Sequence, residues 1–174
     1  MNLSDVMARY TTDKNTRHSY ARFYEQVFPN PQDVKSVLEI GVYHGGSLLV
    51  WRDWFVNAAI HGMDNGSACE IWKPHVDRIH VHRADASDPK TLKAVADLFG
   101  PFDFIVDDAS HKPFEQVAAY SVLSPYLANG GIYVIEDVQT IQIAAEIQST
   151  FGGHIEDRRH VKNQADDILI WWMS

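Results

Sequence analysis

Apolar residues along this chain gather in short runs, separated by longer stretches that mix polar and apolar positions. The runs Ser36–Ile40, Ala59–Met63, Arg78–His82, Phe102–Val106 and Gly131–Ile135 are strand-sized, and acids or turn residues follow them. Between them Leu48–Val56, Thr91–Phe99, Phe114–Leu127 and Ile141–Thr150 read as helices; Thr91–Phe99 sets leucine and valine at helical spacing. Pro125 should distort the third of these near its end. His154–His160 and Asp167–Met173 are candidate strands at the C-terminus. Ahead of the first strand, S-D-V-M-A-R-Y forms a short helix capped by Ser4, and Thr11–Tyr20 is too polar and turn-prone for core. A second helix over Ser19–Phe28 places Tyr20, Phe23, Tyr24 and Val27 on one face, and Pro29-Asn30-Pro31 closes the segment.

Strands alternating with helices predict an α/β fold: a Rossmann-like, doubly wound, mostly parallel sheet with helices on both faces. At 174 residues the whole chain is expected to be one domain, an N-terminal helical arm over 1–31 and an α/β core over 35–174. Ligands of such sheets bind at the carboxyl ends of the strands. Those ends carry Glu39, Asp64, Asp85, Asp107, Asp108, Glu136 and Asp137. One or two acids there would be ordinary helix caps, but a succession of them would repel unless a ligand or cation occupied the edge.

The stretch Val37–Ser47, V-L-E-I-G-V-Y-H-G-G-S, joins the first strand to a glycine-rich turn and then to a helix N-terminus, the layout that holds the polar part of a nucleotide-like ligand. A pyrophosphate turn reads G-x-G-x-x-G, whereas Tyr43 occupies the middle glycine position here, which disfavours a nicotinamide oxidoreductase. The G-K-[ST] of a P-loop is missing too. Glu39, just before the turn, suits a ligand carrying a positive charge or an amino group.

Further along, V-D-D-A-S-H at 106–111 and I-E-D-V at 135–138 lie at neighbouring strand ends. Asp108, Glu136 and Asp137 could converge there on one hard cation, Mg²⁺ or less often Mn²⁺. His111, three residues beyond Asp108, has the intrinsic pKa to take a proton from a hydroxyl near neutral pH. The plain alternatives are that Asp107 and Asp108 cap the helix near Phe114, that His111 bonds backbone, and that Glu136-Asp137 is a strand-end turn.

Charge and composition narrow the partners. A net charge of −8 argues against a nucleic-acid backbone as ligand. No apolar run approaches the roughly 20 residues of a membrane-spanning helix, and the N-terminus lacks a signal peptide's apolar core, so a cytoplasmic setting is expected. Cys69 is the lone cysteine, which excludes an intramolecular disulfide or a cysteine metal cluster. His75, His80 and His82 read as surface or satisfied positions. Trp51, Trp54 and Phe55 read as core or subunit interface, and Trp171 and Trp172 face opposite sides of the last strand, which leaves room for a homo-oligomer contact.

Glu39-Ile40-Gly41-x-x-x-Gly45, followed by Asp64 at the end of the second strand, resembles the S-adenosylmethionine site of class I methyltransferases. The resemblance implies that the first motif (Glu39, Gly41, Tyr43, Gly45, Ser47) holds the methionine part and that Asp64 takes the ribose hydroxyls. By the same resemblance Asp85-Ala86-Ser87 contacts adenine, and Asp107 also lies on the cofactor. Asp64 lies 23 positions after Gly41, close to the spacing of a ribose acid. The pairing D-D-A-S-H with G-G-x-Y-V-I-E-D, together with T-D-K-x-x-x-H-x-Y at 12–20, resembles a narrower group, the metal-dependent sugar O-methyltransferases related to the macrocin and mycinamicin enzymes. That likeness implies Asp108, Glu136 and Asp137 as metal ligands, His111 as general base, and Lys14 and His18 as residues that close the cofactor or substrate pocket. It implies a small-molecule hydroxyl acceptor, a sugar in this group. A catechol-type acceptor and a non-catalytic, cofactor-binding accessory protein are the other readings.

Overall fold

A computed structural model describes residues 2–66 and 76–174; the expectations for Cys69 and His75 fall outside them. Seven strands form one sheet: β1 (Ser36–Ile40), β2 (Ala59–Asp64), β3 (Ile79–Arg83), β4 (Phe102–Asp107), β5 (Leu127–Ile135), β6 (His154–Asp157) and β7 (Ile168–Met173). Their order is β3-β2-β1-β4-β5-β7-β6, parallel through β5, with β7 antiparallel to both of its neighbours. Among the described residues the α-helices are α1 (Leu3–Met7), α2 (Ala21–Val27), α3 (Gly46–Trp54), α4 (Pro89–Phe99), α5 (Pro113–Leu123), α6 (Ile141–Phe151) and α7 (Arg159–Lys162). The expected doubly wound sheet is the one observed.

β1 and β4 are mostly apolar and almost wholly buried because both of their faces are covered, as parallel strands require. Side chains alternate between two core layers. Val37, Phe104 and Val106 face a layer built with Trp51 and Phe55, while Leu38, Ile40 and Ile105 face one built with Leu92, Leu123 and Ala144. The N-terminal arm belongs to the first layer outright: Leu3, Val6, Met7, Phe23, Tyr24 and Phe28 are all buried in it. Each such side chain contributes roughly 1.5–3 kcal/mol of burial. Trp51, Trp54 and Phe55 are core here, and Trp172 packs inward on Tyr120, while Trp171 stacks on His154.

Several boundaries differ from expectation. Asn2, not Ser4, caps α1: its Oδ1 accepts the amide of Asp5 at 2.8 Å, and the helix stops at Met7. Glycine lets α3 begin earlier, at Gly46. Pro125 ends α5 at Leu123 and forces a 3₁₀ turn over Ser124–Tyr126, after which β5 starts at Leu127 instead of Gly131. The expected strand His154–His160 ends at Asp157 and turns into α7.

Strand order reverses between β1 and β4, so the crevice outside their carboxyl ends is where this topology places a ligand.

Candidate active site

β1 ends in the glycine turn, and the turn has no room for another residue at its first position. Gly41 has φ +91°, and a Cβ there would lie 2.2 Å from the carbonyl oxygen of Asp108 at the end of β4. Asp64, at the end of β2, ties the turn down: its carboxylate accepts the amides of Val42 (2.8 Å), Tyr43 (2.9 Å) and Gly66 (2.7 Å). Gly45, at φ +76°, is the residue from which α3 starts. Tyr43 also sits at positive φ and is 73% exposed.

Glu39 lies behind the turn, fully buried. It accepts Ser47 Oγ at 2.8 Å and Trp51 Nε1 at 3.1 Å, and pairs with Lys14 Nζ at 3.4 Å. Burial pushes its carboxyl up to about 7, against the pull of Lys14 and Ser47. It lines neither of the two cavities that open at this edge.

The first cavity, about 500 Å³, runs from the glycine turn past Asp64 to Asp85, Ala86 and Ser87, with Asp107 and Gln116 on its wall. The second, about 470 Å³, lies between the turn and the N-terminal arm, lined by Thr11, Thr12, Lys14, Ser47 and His111 among others. Gly41, Tyr43, His44, Asp108 and Ala109 belong to both, so the cavities meet beside Asp108. Each is the size of a small-molecule site.

Acids and their partners gather at that meeting point. His111 Nε2 lies 3.1 Å from Asp108 Oδ1 and 3.7 Å from Asp137 Oδ2, and ligand atoms of these three residues all fall within 4.8 Å of one another. His111 and Asp137 are both held at positive φ (55° and 54°), backbone strain of the kind that concentrates at functional sites. Lys14 enters from the arm and is 1% exposed. Its ammonium pairs with Asp108 Oδ2 at 2.6 Å and with Glu136. Burial alone would lower the Lys14 pKa, but Asp108, Glu136 and Glu39 hold it well above its ordinary value. Burial likewise works against ionised Asp108, yet Lys14 and His111 keep its carboxyl down at about 2. The hydrogen bond to Asp108 raises the His111 pKa, against desolvation. Burial raises Asp107 to about 7 and raises Asp137 as well.

The structure thus brings Asp108, His111 and Asp137 together, while the carboxylate of Glu136 is taken up by Lys14 and by the hydroxyl of Tyr24. Neither Glu136 nor Asp137 lines a cavity: Glu136 meets Lys14 and Tyr24 of the arm, while Asp137 lies between His111 on one side and Tyr20 and His18 of the arm on the other. His18 lines neither cavity. It sits behind Asp137 (3.6 Å) and Asp167 (3.5 Å), stacked on Tyr20, whose hydroxyl donates to Asp137. Three contributors were not apparent beforehand. Tyr20 and Tyr24 read only as a core face of α2, although a buried tyrosine needs a partner for its hydroxyl. Gln116, on α5, sends Nε2 to the Glu136 carbonyl at 3.1 Å; a polar residue on the inner face of an otherwise apolar helix was its only signal.

Comparison with known proteins gives the family. A family model described as a methyltransferase domain matches residues 38–138. The 8-demethyl-8-alpha-L-rhamnosyl tetracenomycin-C 2'-O-methyltransferase of Streptomyces olivaceus is 38% identical over 146 residues, covering 79% of this chain and 38% of that protein. The mycinamicin VI 2''-O-methyltransferase of Micromonospora griseorubida is 35% identical over 149 residues, covering 79% and 36%. The solved MycE methyltransferase of mycinamycin biosynthesis, in complex with Mg, SAH and mycinamycin VI, superposes with a TM-score of 0.72 at 33% identity, over 79% of this chain and 37% of that one. This chain therefore spans little more than a third of the length of these relatives. A fibrillarin/Nop5p complex (TM-score 0.61, 15% identity) shares the fold alone. With its match across β1 to the end of β5, the chain belongs to the methyltransferase-domain family.

Proposed function

We propose that this chain transfers a methyl group from S-adenosylmethionine to a hydroxyl of a sugar carried by a small molecule, with the help of Mg²⁺. The observation that carries the reading is the convergence of Asp108, His111 and Asp137 where the two cavities meet. When bound, S-adenosylmethionine supplies a sulfonium-activated methyl group, and Mg²⁺ supplies positive charge that lowers the pKa of a neighbouring hydroxyl.

The chemistry of the donors fits both groups. Carboxylate oxygens of Asp108 and Asp137 suit a hard divalent cation, while an imidazole is a poorer ligand for Mg²⁺. His111 is therefore left to take the proton of the acceptor hydroxyl on Nδ1, while its Nε2–H donates to Asp108 Oδ1 at 3.1 Å and that carboxylate holds the new imidazolium. Glu136 would join the ligand set only by giving up Lys14. The first cavity, with Asp64 midway and Asp85, Ala86 and Ser87 at its far end, takes the adenosyl part, and the turn at Gly41 and Gly45 takes the methionine part. The second cavity takes the acceptor, between Tyr43 and the threonines of the arm. The names of the tetracenomycin and mycinamicin relatives, and the mycinamycin VI complex, favour a glycosylated acceptor. Mg²⁺ is the ion in that complex, so it is proposed over Mn²⁺.

Methyl transfer to a panel of glycosylated and catechol acceptors tests the reading. EDTA should abolish turnover and added Mg²⁺ restore it. His111→Ala should lower kcat by roughly 10²- to 10⁴-fold while S-adenosylhomocysteine binding stays nearly intact. Full activity in that variant would overturn the mechanism.

A further inference from the structure

Gln116 stands on the inner face of α5, 1% exposed, in the wall of the first cavity. Its amide has one arrangement only. Nε2 donates to the main-chain carbonyl of Glu136 at 3.1 Å, and a carbonyl can only accept, so the nitrogen must face Glu136 and the oxygen the other way. That oxygen, Oε1, is buried and has no hydrogen-bond partner among the described residues. A buried acceptor left unpaired costs on the order of 1–3 kcal/mol, so a site that keeps one is built for a donor that arrives with a ligand.

Position decides which donor. Gln116 lines the first cavity together with Asp85, Ala86, Ser87 and Ala119, and none of these five lines the second cavity. It therefore belongs to the part of the first cavity that the second does not share, whereas Lys14, Ser47 and His111 line the second alone, where the acceptor would lie. S-adenosylmethionine offers three kinds of donor: the α-amino group, the ribose hydroxyls and the exocyclic N6 amine of adenine. The first belongs with the glycine turn and the second with Asp64, which leaves the third for the far end. We infer that Gln116 Oε1 accepts a hydrogen bond from the N6 amine of the cofactor's adenine and makes the cavity selective for a 6-amino purine. This assignment rests on the cofactor reading above. It also links the adenine end of the site to the acid corner, because the same side chain holds the Glu136 carbonyl.

Calorimetric titration of the full chain with two ligands tests the inference: S-adenosylhomocysteine, and S-inosylhomocysteine, which presents a 6-oxo group in place of the amine. The wild-type chain should bind the inosyl ligand roughly 10- to 100-fold more weakly, since two acceptors would face each other. In Gln116→Met, checked for native circular dichroism, the two affinities should agree within about threefold. Equal affinities in the wild-type chain would overturn the assignment whether or not the variant folds, and so would discrimination that survives the substitution. Failure of S-adenosylhomocysteine to bind the wild-type chain would instead remove the cofactor reading, and this assignment with it.

Discussion

Lys14 places one ammonium among three carboxylates, those of Glu39, Asp108 and Glu136, with almost no access to water. An ion buried this way stabilises only because its partners are buried too: remove it, and several negative groups face one another in a low-dielectric space. Lys14→Met keeps the length and apolar stem but deletes the charge, and should cost about 3–5 kcal/mol in metal-free protein. Mg²⁺ should restore part of that loss, because Glu136 is then free to turn to the ion. Calorimetric melting with EDTA and with Mg²⁺ checks this; an equal Mg²⁺ effect on variant and wild type would show that Lys14 and the ion do not share a carboxylate. This contact was hidden in the sequence. T-D-K-x-x-x-H-x-Y marks Lys14 and His18 as residues near the site, but nothing in a polar ten-residue stretch says that one side chain will be buried against β4 and β5 while the other goes behind Asp137. Nor could sequence separate Glu136 from Asp137, since the turn that parts them depends on the positive φ of Asp137.

At the level of elements, legibility followed how many independent signals each stretch carried. β1, β2 and β4 matched to within a residue because apolar runs buried on both faces end at acids that the fold uses. β5 did not: Leu127 reads as the end of a helix and Gly131 as the start of the strand, yet the strand begins at Leu127 and runs through the glycines. At the outer edge of the sheet His80 is exposed and His82 is half-buried and bonded to His61, in keeping with the surface or satisfied positions expected of them. His61, passed over in β2, is 5% exposed, lies 3.1 Å from His82 Nε2 through its Nδ1, and packs on Phe99. Burial, then the neighbouring His82 and His80, lowers its pKa from 6.5 to about 4. The folded chain therefore holds His61 neutral where the unfolded chain binds a proton. Stability from this group is complete above about pH 6.5 and is lost as pH falls towards 4. His61→Phe keeps the ring stacking and removes the titration. Its stability relative to wild type should rise by on the order of 1–3 kcal/mol between pH 7 and pH 4. Urea melts of both proteins across that range measure the difference, and a pH-independent gap would mean that His61 is as easily protonated folded as unfolded.

For the whole molecule, the arm, the sheet and the site form one mechanical unit. α1 and α2 supply part of a core layer, and the segment after α1 meets the glycine turn backbone to backbone: a Cβ on Gly46 would lie 1.8 Å from the Thr11 carbonyl oxygen. The arm then delivers Lys14, Tyr20 and Tyr24 to the acids at the ends of β4 and β5. Few contacts could be lost at one end of this chain of packing without loosening the other. Unfolding should accordingly be one cooperative transition, with tryptophan fluorescence and far-UV circular dichroism coincident. Binding at the site should be felt by the whole fold. S-adenosylhomocysteine at about 100 times its Kd should add about 2.7 kcal/mol. At roughly 2–4 °C per kcal/mol for a domain of this size, Tm should rise by about 5–10 °C in a single shifted transition. A ligand-dependent second transition would place the arm outside that unit. Lys14 would then be an attachment to the acid corner and not one of its supports, and the metal-free cost of Lys14→Met should fall to that of a surface ion pair, below about 1 kcal/mol.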